Sequence, residues 1–222
     1  MRAEVGLLSR NIKITAELEG EPCVGTEWNT LEACKAAADE DEDGLYGGHT
    51  IALEGFKSYN IRGAELRYMG QNQILSRYPI HFHMAHDTRR DGKSMKISGN
   101  SIRDSFSRCI TIHGSHHVQV VDNVAKNHFG HCIFIEDGGE KETVIEGNLV
   151  LGTKKGELTQ SDNAATSYWI TSPLTTVRNN VAAGSVHTGF WWLFPEEPVG
   201  PSKGLGFFQR GEAKRTPMTE VR

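Results

Sequence analysis

The segment RCITIHG at residues 108–114 recurs 23 residues later as HCIFIEDG at residues 131–138, with cysteine over cysteine and isoleucine over isoleucine. Each copy is followed by a short apolar stretch and an asparagine. The asparagine recurs in similar contexts, at Asn100, Asn123, Asn148 and Asn180. Self-similarity at a period of about 20–50 residues is typical of repeat architectures. We therefore interpret this part of the chain as a series of stacked structural units.

Four more segments extend the series in both directions. They are HTIALEG (49–55), YPIHFHM (78–84), SYWIT (167–171) and TGFWWLF (188–194). Two intervals exceed 23 residues because polar stretches are inserted, one at residues 86–93 and a larger one at residues 153–166. Six coils are visible in the sequence.

The repeated segments are short, rich in β-branched residues and bounded by Gly, Asn and Asp, which indicates strands. No helical pattern separates them, and this excludes an ordinary alternating βαβ sheet. We predict an all-β fold, a right-handed parallel β-helix formed as one domain over residues 1–222, with a polar loop at residues 20–47. Stacked asparagines would hydrogen-bond from coil to coil. The alternative, a propeller or sandwich, requires hairpin turns such as Asn-Gly, and we find none that is convincing.

Composition limits the range of functions. The chain of 222 residues is 37% hydrophobic and has a formal net charge of -4, so it offers no basic field for nucleic acid. No run reaches the 18 or so apolar residues of a membrane span, and the first residues lack the apolar centre of a signal peptide. We therefore expect either a cytosolic protein or an internal piece of a longer secreted one.

Strand alternation predicts which side chains face the core. The inward parity contains Ile80, Phe82, Ile110, Ile112, Ile133 and Ile135. The outward parity forms two columns, His81, Thr111, Phe134 and Trp169 in the first, and His83, His113, Glu136 and Thr171 in the second. One interpretation is that these outward residues are simply the solvated side of a sheet and have no function. Their density of His, Arg, acidic and aromatic side chains favours a solvent-exposed binding face.

A carbohydrate suits this face, because aromatic rings pack on the apolar side of a sugar and polar groups bind its hydroxyls. The candidate ligand-binding residues are Arg77, His81, His83, Arg108 and Trp169. An acidic polymer would need such cations, and we expect binding to strengthen near pH 5.5 as histidines gain charge. The alternative is an enzyme that cleaves a polysaccharide by acid–base chemistry, with His113, Glu136, Asp137 and His131 as the candidate catalytic residues.

A metal site is a further alternative. His83, His113 and Glu136 would provide two imidazoles and one carboxylate. Neighbouring strands hold such groups in a line, however, whereas a metal ion requires them to converge on a point. We therefore predict no required cofactor and leave a divalent metal, calcium or zinc, as an open hypothesis.

The four cysteines form two pairs in the sequence. Cys23 and Cys34 enclose a polar stretch, and we predict a disulfide between them, which would suit an extracellular protein. Cys109 and Cys132 occupy one column of adjacent coils, close enough for a bridge. We expect them to remain unlinked thiols, because side-by-side parallel strands rarely give the required torsion. Trp191 and Trp192 are expected to cap the core or pack under the terminal loop rather than to bind a ligand.

Several segments resemble one known family. They are EVGLLSRNI (4–12), MGQNQILSRYPIHFHM (69–84), SFSRCITIHG (105–114), GHCIFIEDG (130–138) and the stretch from YWITSPL to the PVGPS sequence (168–202). They are similar to the β-helix region of the family that contains fibrocystin-L, fibrocystin and the cell migration-inducing hyaluronan-binding protein, CEMIP. The last stretch is most similar to the fibrocystin-L branch.

The resemblance implies a large extracellular or membrane-anchored parent protein, with a G8 domain before this region and adjoining domains as partners. It implies polysaccharide or cell-surface protein ligands, since the hyaluronan branch is implicated in binding and breakdown of hyaluronan. The resemblance supplies no settled catalytic set. The nearest transferable positions in the shared motifs are Arg77, His81, His83, Arg108, His113, His131, Glu136 and Asp137.

Overall fold

A computed structural model describes residues 4–17, 34 and 45–205, and nearly all of its regular structure is strand. Three parallel sheets run along one helical stack. The first contains β1 (Ile12–Thr15), β4 (Ala64–Arg67), β7 (Ser101–Ser105), β10 (Val124–Phe129), β13 (Leu149–Lys154) and β16 (Val181–Ala183). The second, here named the site sheet, contains β2 (Ile51–Ala52), β5 (Ile80–Asp87), β8 (Ile110–His116), β11 (Ile133–Ile135), β14 (Thr166–Ile170) and β17 (Thr188–Trp192). The third contains β3 (Ile61–Arg62), β6 (Lys96–Ser98), β9 (Gln119–Val121), β12 (Thr143–Glu146) and β15 (Thr175–Arg178).

Each strand pairs in parallel with the strand three places earlier in the chain, which lies one coil back, so the chain forms a parallel β-helix. The six repeated segments read from the sequence are the six strands of the site sheet. Ile80, Ile110 and Ile133 stack in register inside it, each at most 1% exposed. Full burial of one such side chain contributes about 1.5–3 kcal/mol. The predicted fold is confirmed, and the hairpin-based alternative is wrong.

The asparagines form the predicted ladder between the third and first sheets. Nδ2 of Asn100 donates to Oδ1 of Asn123, whose own Nδ2 donates to Oδ1 of Asn148, each at 2.9 Å. Asn148 donates in the same way to Asn180. The residue before each asparagine adopts a left-handed conformation, φ between 54° and 66°, as Gly99, Asp122, Gly147 and Asn179. Only Gly and, less often, Asn or Asp adopt it at low cost, so this position explains their recurrence there.

The cysteines differ in part from expectation. Cys109 and Cys132 are joined by a disulfide, so the prediction of unlinked thiols is wrong. Their Cα atoms, 4.5 Å apart on adjacent coils, lie within the range that a bridge needs. Cys34 is buried and disulfide-bonded, whereas Cys23 lies outside the described residues, as does most of the predicted loop at residues 20–47.

Candidate functional site

Five of the candidate residues lie on the outer face of the site sheet in the two predicted columns: His81, Trp169, His83, His113 and Glu136. In the first column, register places His81 beside Thr111, Thr111 beside Phe134, and Phe134 beside Trp169. In the second, His83 lies beside His113, and Glu136 continues the column by donating its N–H to the Ile112 carbonyl. The parity assignment is therefore confirmed.

The exposure predicted for this face is wrong at most positions. His81 is 1% exposed, and Thr111, Phe134, His113 and Thr171 are also buried. Two segments remote in sequence, here called covers, pack at the ends of these strands against Arg108, His131 and Asp137, and neither shows the repeat period. Half-buried residues remain at the surface between these covers, chiefly His83, Glu136 and Trp169.

The polar insertion provides the first cover. It contains a short 3-10 helix, Gln160–Ala164, that places Asp162 against Arg108. The two side chains are almost fully buried and pair at 2.9 Å between Nη2 and Oδ2. Asp162 also accepts the backbone N–H of His131, and Arg108 lies over the Phe134 ring at 3.8 Å. Arg108 and His131 are thus not open to a ligand, contrary to expectation, because their polar groups are bound internally.

The segment after β17 provides the second cover and contacts Asp137. The N–H of Val199 donates to the Asp137 carbonyl at 2.9 Å, and the N–H of Ser202 donates to Asp137 Oδ2 at 3.1 Å. Asp137 is buried and also accepts a hydrogen bond from His113 Nε2 at 2.9 Å. The role open to Asp137 is therefore to orient His113.

Three histidines converge beside this carboxylate. One ring nitrogen from each of His81, His83 and His113 lies within 4.8 Å of the others. Nδ1 of His83 and Nδ1 of His113 are 3.1 Å apart. Glu136 lies beside His113, its Oε2 being 3.6 Å from His113 Nδ1. His83 and His113, expected to remain in a line with Glu136, therefore converge with His81 instead.

The electrostatics of the cluster are uneven. Burial lowers the pKa of His81 to about 3, and burial together with the nearby His113 lowers the pKa of His83. Burial also acts to lower the pKa of His113, but the hydrogen bond to Asp137 and the charge of Glu136 outweigh it, so this pKa is raised. Burial raises the pKa of Glu136 despite the opposing effect of His113.

These shifts oppose the expected gain of charge near pH 5.5 at all of these candidate histidines except His113, whose pKa is raised. His81 and His83 resist protonation, and burial lowers the pKa of His131 to about 4. Stronger binding of an acidic polymer at that pH cannot rest on these rings. Arg77, in contrast, is exposed and contacts His49 at the edge of the sheet.

An aromatic strip adjoins the histidine cluster. The rings of Phe134, Trp169 and Trp191 stack coil on coil at 5.8 and 5.9 Å. Trp169 and Trp191 are half-buried, whereas Trp192 packs against the core. Trp191 thus lies on the outer face and packs on Trp169, whereas Trp192 packs on the core as expected. The register of Trp191 with Trp169 was the available signal, because TGFWW aligns with TSYWI.

Sequence reasoning also missed Glu140. This buried carboxyl accepts backbone N–H groups from Gly114, Asp137 and Gly138, so it joins the ends of two neighbouring coils. Burial raises its pKa to about 7, against the effect of these donors. The only signal was an acidic residue just after the Gly-Gly turn at residues 138–139.

A separate open depression of about 500 Å³ lies on the first sheet, away from the histidines. Lys126 and Lys154 line it together with Asn127, Leu151 and small residues. It presents cations but no aromatic ring, so it is a weaker candidate for a sugar than the strip of Trp169 and Trp191.

Among the described residues, we find no helix with the length and apolar character needed to cross a membrane.

Comparisons with known proteins identify relatives over almost the whole chain. The model of the CEMIP beta-helix family matches residues 45–222. The cell migration-inducing and hyaluronan-binding protein of Mus musculus is 37% identical over 98% of this chain, and the cell surface hyaluronidase CEMIP2 of Homo sapiens is 36% identical over 96%. Fibrocystin-L of Mus musculus is 33% identical over 99%. These identities do not favour the fibrocystin-L branch, contrary to expectation. The chain spans 17% of the length of the first two proteins and 5% of the third.

Proposed function

Because the chain belongs to the CEMIP β-helix family, we propose that it is an extracellular or cell-surface module that binds a uronic-acid polysaccharide of the hyaluronan type on the outer face of the site sheet. The observation that carries the proposal is the half-buried pair Trp169 and Trp191, stacked 5.9 Å apart on the same outer face as His83 and Glu136. Adjoining domains of a longer protein would extend the same surface.

Three features support this choice of ligand. An indole packs well on the apolar face of a pyranose ring, and the partly exposed polar groups beside it can bind the hydroxyls. Arg77 is the exposed cation at the edge of the same sheet and suits a carboxylate of the polymer. Relatives that cover nearly the whole chain carry names that refer to hyaluronan.

The test is calorimetric titration of the protein with hyaluronan oligosaccharides of defined length. Trp169→Ala is expected to weaken binding about 5- to 150-fold, since stacking on one aromatic side chain contributes about 1–3 kcal/mol in comparable ring-on-ring contacts. Glu136→Gln should change the affinity without changing the melting temperature.

The matched control is Phe190→Ala, which removes an exposed aromatic ring from the same strand as Trp191 but from the other parity. The proposal is wrong if wild type binds no oligosaccharide, or if the Trp169 and Phe190 variants bind equally well.

A second candidate function is depolymerisation of the same polymer. It is favoured by the half-exposed carboxyl of Glu136 beside the His113–Asp137 pair, a possible proton donor and acceptor at one point, and by relatives named as hyaluronidases. Asp137 would hold His113 in place rather than react, because its Oδ2 already accepts hydrogen bonds from His113 and from the Ser202 backbone.

The assay is the size distribution of high-molecular-mass hyaluronan after incubation, with EDTA or with added calcium or zinc. An enzyme would shorten the polymer in a way that Glu136→Gln abolishes, with Glu197→Gln, an exposed glutamate outside the face, as control. Unchanged polymer length under all conditions would reject depolymerisation and leave the binding function standing.

A further inference from the structure

His81 has a buried ring nitrogen without a partner. Its side chain is 1% exposed, and Nδ1 lies 3.2 Å from the carbonyl oxygen of Ser76. That carbonyl can only accept, so Nδ1 carries the proton and Nε2 keeps its lone pair. Nε2 is buried and makes no hydrogen bond. Leaving a buried acceptor unsatisfied is unfavourable, and a ligand at Nε2 would remove that cost.

In His113 the two ring nitrogens have exchanged roles, because Nε2 and not Nδ1 carries the proton. Its Nε2 donates to Asp137 Oδ2 at 2.9 Å, which leaves Nδ1 as the nitrogen with the lone pair. Nδ1 faces His83 Nδ1 at 3.1 Å, so in the absence of a metal ion His83 Nδ1–H donates to it. Histidine ligands of metals commonly donate their second N–H to a carbonyl or a carboxylate, as His81 and His113 do here.

A carboxylate that could serve as a fourth ligand lies next to His113. Oε2 of Glu136 is buried, has no hydrogen-bond partner and lies 3.6 Å from His113 Nδ1. Zinc–nitrogen bonds of about 2.0–2.1 Å in a tetrahedron place neighbouring ligand atoms about 3.3 Å apart. The spacings of 3.1 and 3.6 Å lie on either side of that value.

We propose that His81, His83, His113 and Glu136 bind one divalent transition-metal ion of the zinc type, with Ser76 and Asp137 orienting two of the imidazoles. Three imidazoles and one carboxylate suit zinc, copper or nickel, whereas calcium requires six or more oxygen ligands. The half-exposed side chains of His83 and Glu136 provide the route by which the ion enters.

Among the described residues, one other group of potential ligands lies close together, Cys109, His128 and Cys132. It is not a metal site, because the two cysteines are bonded to each other.

The metal site lies on the face of the proposed function but does not depend on glycan binding. The experiment is a calorimetric titration with Zn²⁺ alone, on protein stripped of metal by a chelator, with Ca²⁺ in a parallel run. Co²⁺ provides a spectroscopic reading, since four-coordinate nitrogen and oxygen ligation gives visible absorption. We expect one equivalent of Zn²⁺ to bind, and no Ca²⁺ at this site.

The variants locate the ion. His83→Ala and His113→Ala should abolish stoichiometric binding, and Asp137→Asn should lower the affinity about 10–100-fold by releasing the His113 ring. His187→Ala, which removes an exposed histidine near Trp191, is the control and should bind like wild type. Circular dichroism checks that each variant is folded. His83 is the key position, because its half-exposed side chain can be removed with little effect on the core.

The proposal is overturned if wild type takes up no Zn²⁺ at micromolar concentrations, or if His83→Ala and His113→Ala bind it as wild type does. If the protein binds Zn²⁺ but no hyaluronan, the metal site stands and the proposed function is rejected. If it binds hyaluronan but no Zn²⁺, the proposed function stands and the metal site is rejected.

Discussion

At the residue scale, Gly200 permits the close contact that positions Asp137. Its backbone has φ of 56°, and a Cβ added there would lie 2.7 Å from Asp137 Oδ1. The same carboxylate accepts hydrogen bonds from Ser202 N–H and from His113 Nε2. One glycine in the covering segment thus allows that segment to reach the carboxylate that orients a candidate ligand-binding histidine.

We predict that Gly200→Ala destabilises the protein and disturbs His113. The left-handed conformation costs about 1–2 kcal/mol for an L-residue, and the clash with Asp137 adds to this cost. The measurement is the melting temperature together with the NMR signals of the His113 ring. Gly204→Ala is a matched control, because Gly204 also has positive φ (77°) but no atom within 4 Å of the added Cβ. Equal effects of both variants would contradict the described contact with Asp137.

At the element scale, the polar insertion between β13 and β14 is a structural part of the site. Its 3-10 helix delivers Asp162 to Arg108, and Asp162 also accepts hydrogen bonds from Thr159 and from the His131 backbone. Burial acts to raise the pKa of Asp162. Attraction to Arg108 and the hydrogen bonds from Arg108 and Thr159 outweigh burial and hold this pKa below its usual range. The insertion is therefore anchored, and it limits how far the aromatic strip is exposed.

Asp162→Ala should lower the free energy of unfolding by about 3–5 kcal/mol, because it leaves the buried Arg108 without its counter-charge. Chemical denaturation measures this effect. Asn163→Ala, an exposed neighbour in the same 3-10 helix, should have little effect. If the double variant Arg108→Met/Asp162→Ala recovers most of the lost free energy of unfolding, the argument is supported. An Asp162→Ala variant as stable as wild type would contradict the buried pair.

The sequence was sufficient to predict the coils but not to predict the two segments that pack against them. The isoleucine stacks and the asparagine ladder depend on neighbouring coils, so a period of about 23 residues reveals them. The pairs that bury the outer face, Arg108 with Asp162 and Asp137 with Ser202, are 54 and 65 residues apart and follow no repeat. The convergence of His81, His83 and His113 depends on the orientation of their rings. Hydrogen bonds to Ser76 and Asp137 set the orientation of His81 and His113, and the spacing of residues in the sequence does not reveal it.

At the scale of the whole molecule, several histidines are built into the fold in the neutral form. Burial lowers the pKa of His81 and His128 to about 3, and of His116 and His131 to about 4. An unfolded histidine takes up a proton near pH 6.5. Between pH 6.5 and these lowered values only the unfolded chain gains the proton, so folding stability is retained above pH 6.5 and is lost as the pH falls.

His128 tests this at one position. Its ring is buried, bonds to Thr153, and faces the charges of Lys154 and His131. Between pH 6.5 and pH 5, His128→Gln should lose about 2 kcal/mol less stability than wild type, at about 1.4 kcal/mol per pH unit. Urea denaturation at a series of pH values measures the slope, with the exposed His187→Gln as control. Identical slopes for wild type and His128→Gln would show that His128 is not held neutral.

The most direct test of the binding face is hydroxyl-radical footprinting with and without hyaluronan oligosaccharides, read residue by residue by mass spectrometry. Trp169 and Trp191 should become protected from oxidation on adding the sugar, while Trp192, packed on the core, should not change. Protection confined to the depression between Lys126 and Lys154, or no protection at any residue, would contradict the proposal that this face of the β-helix binds the polymer.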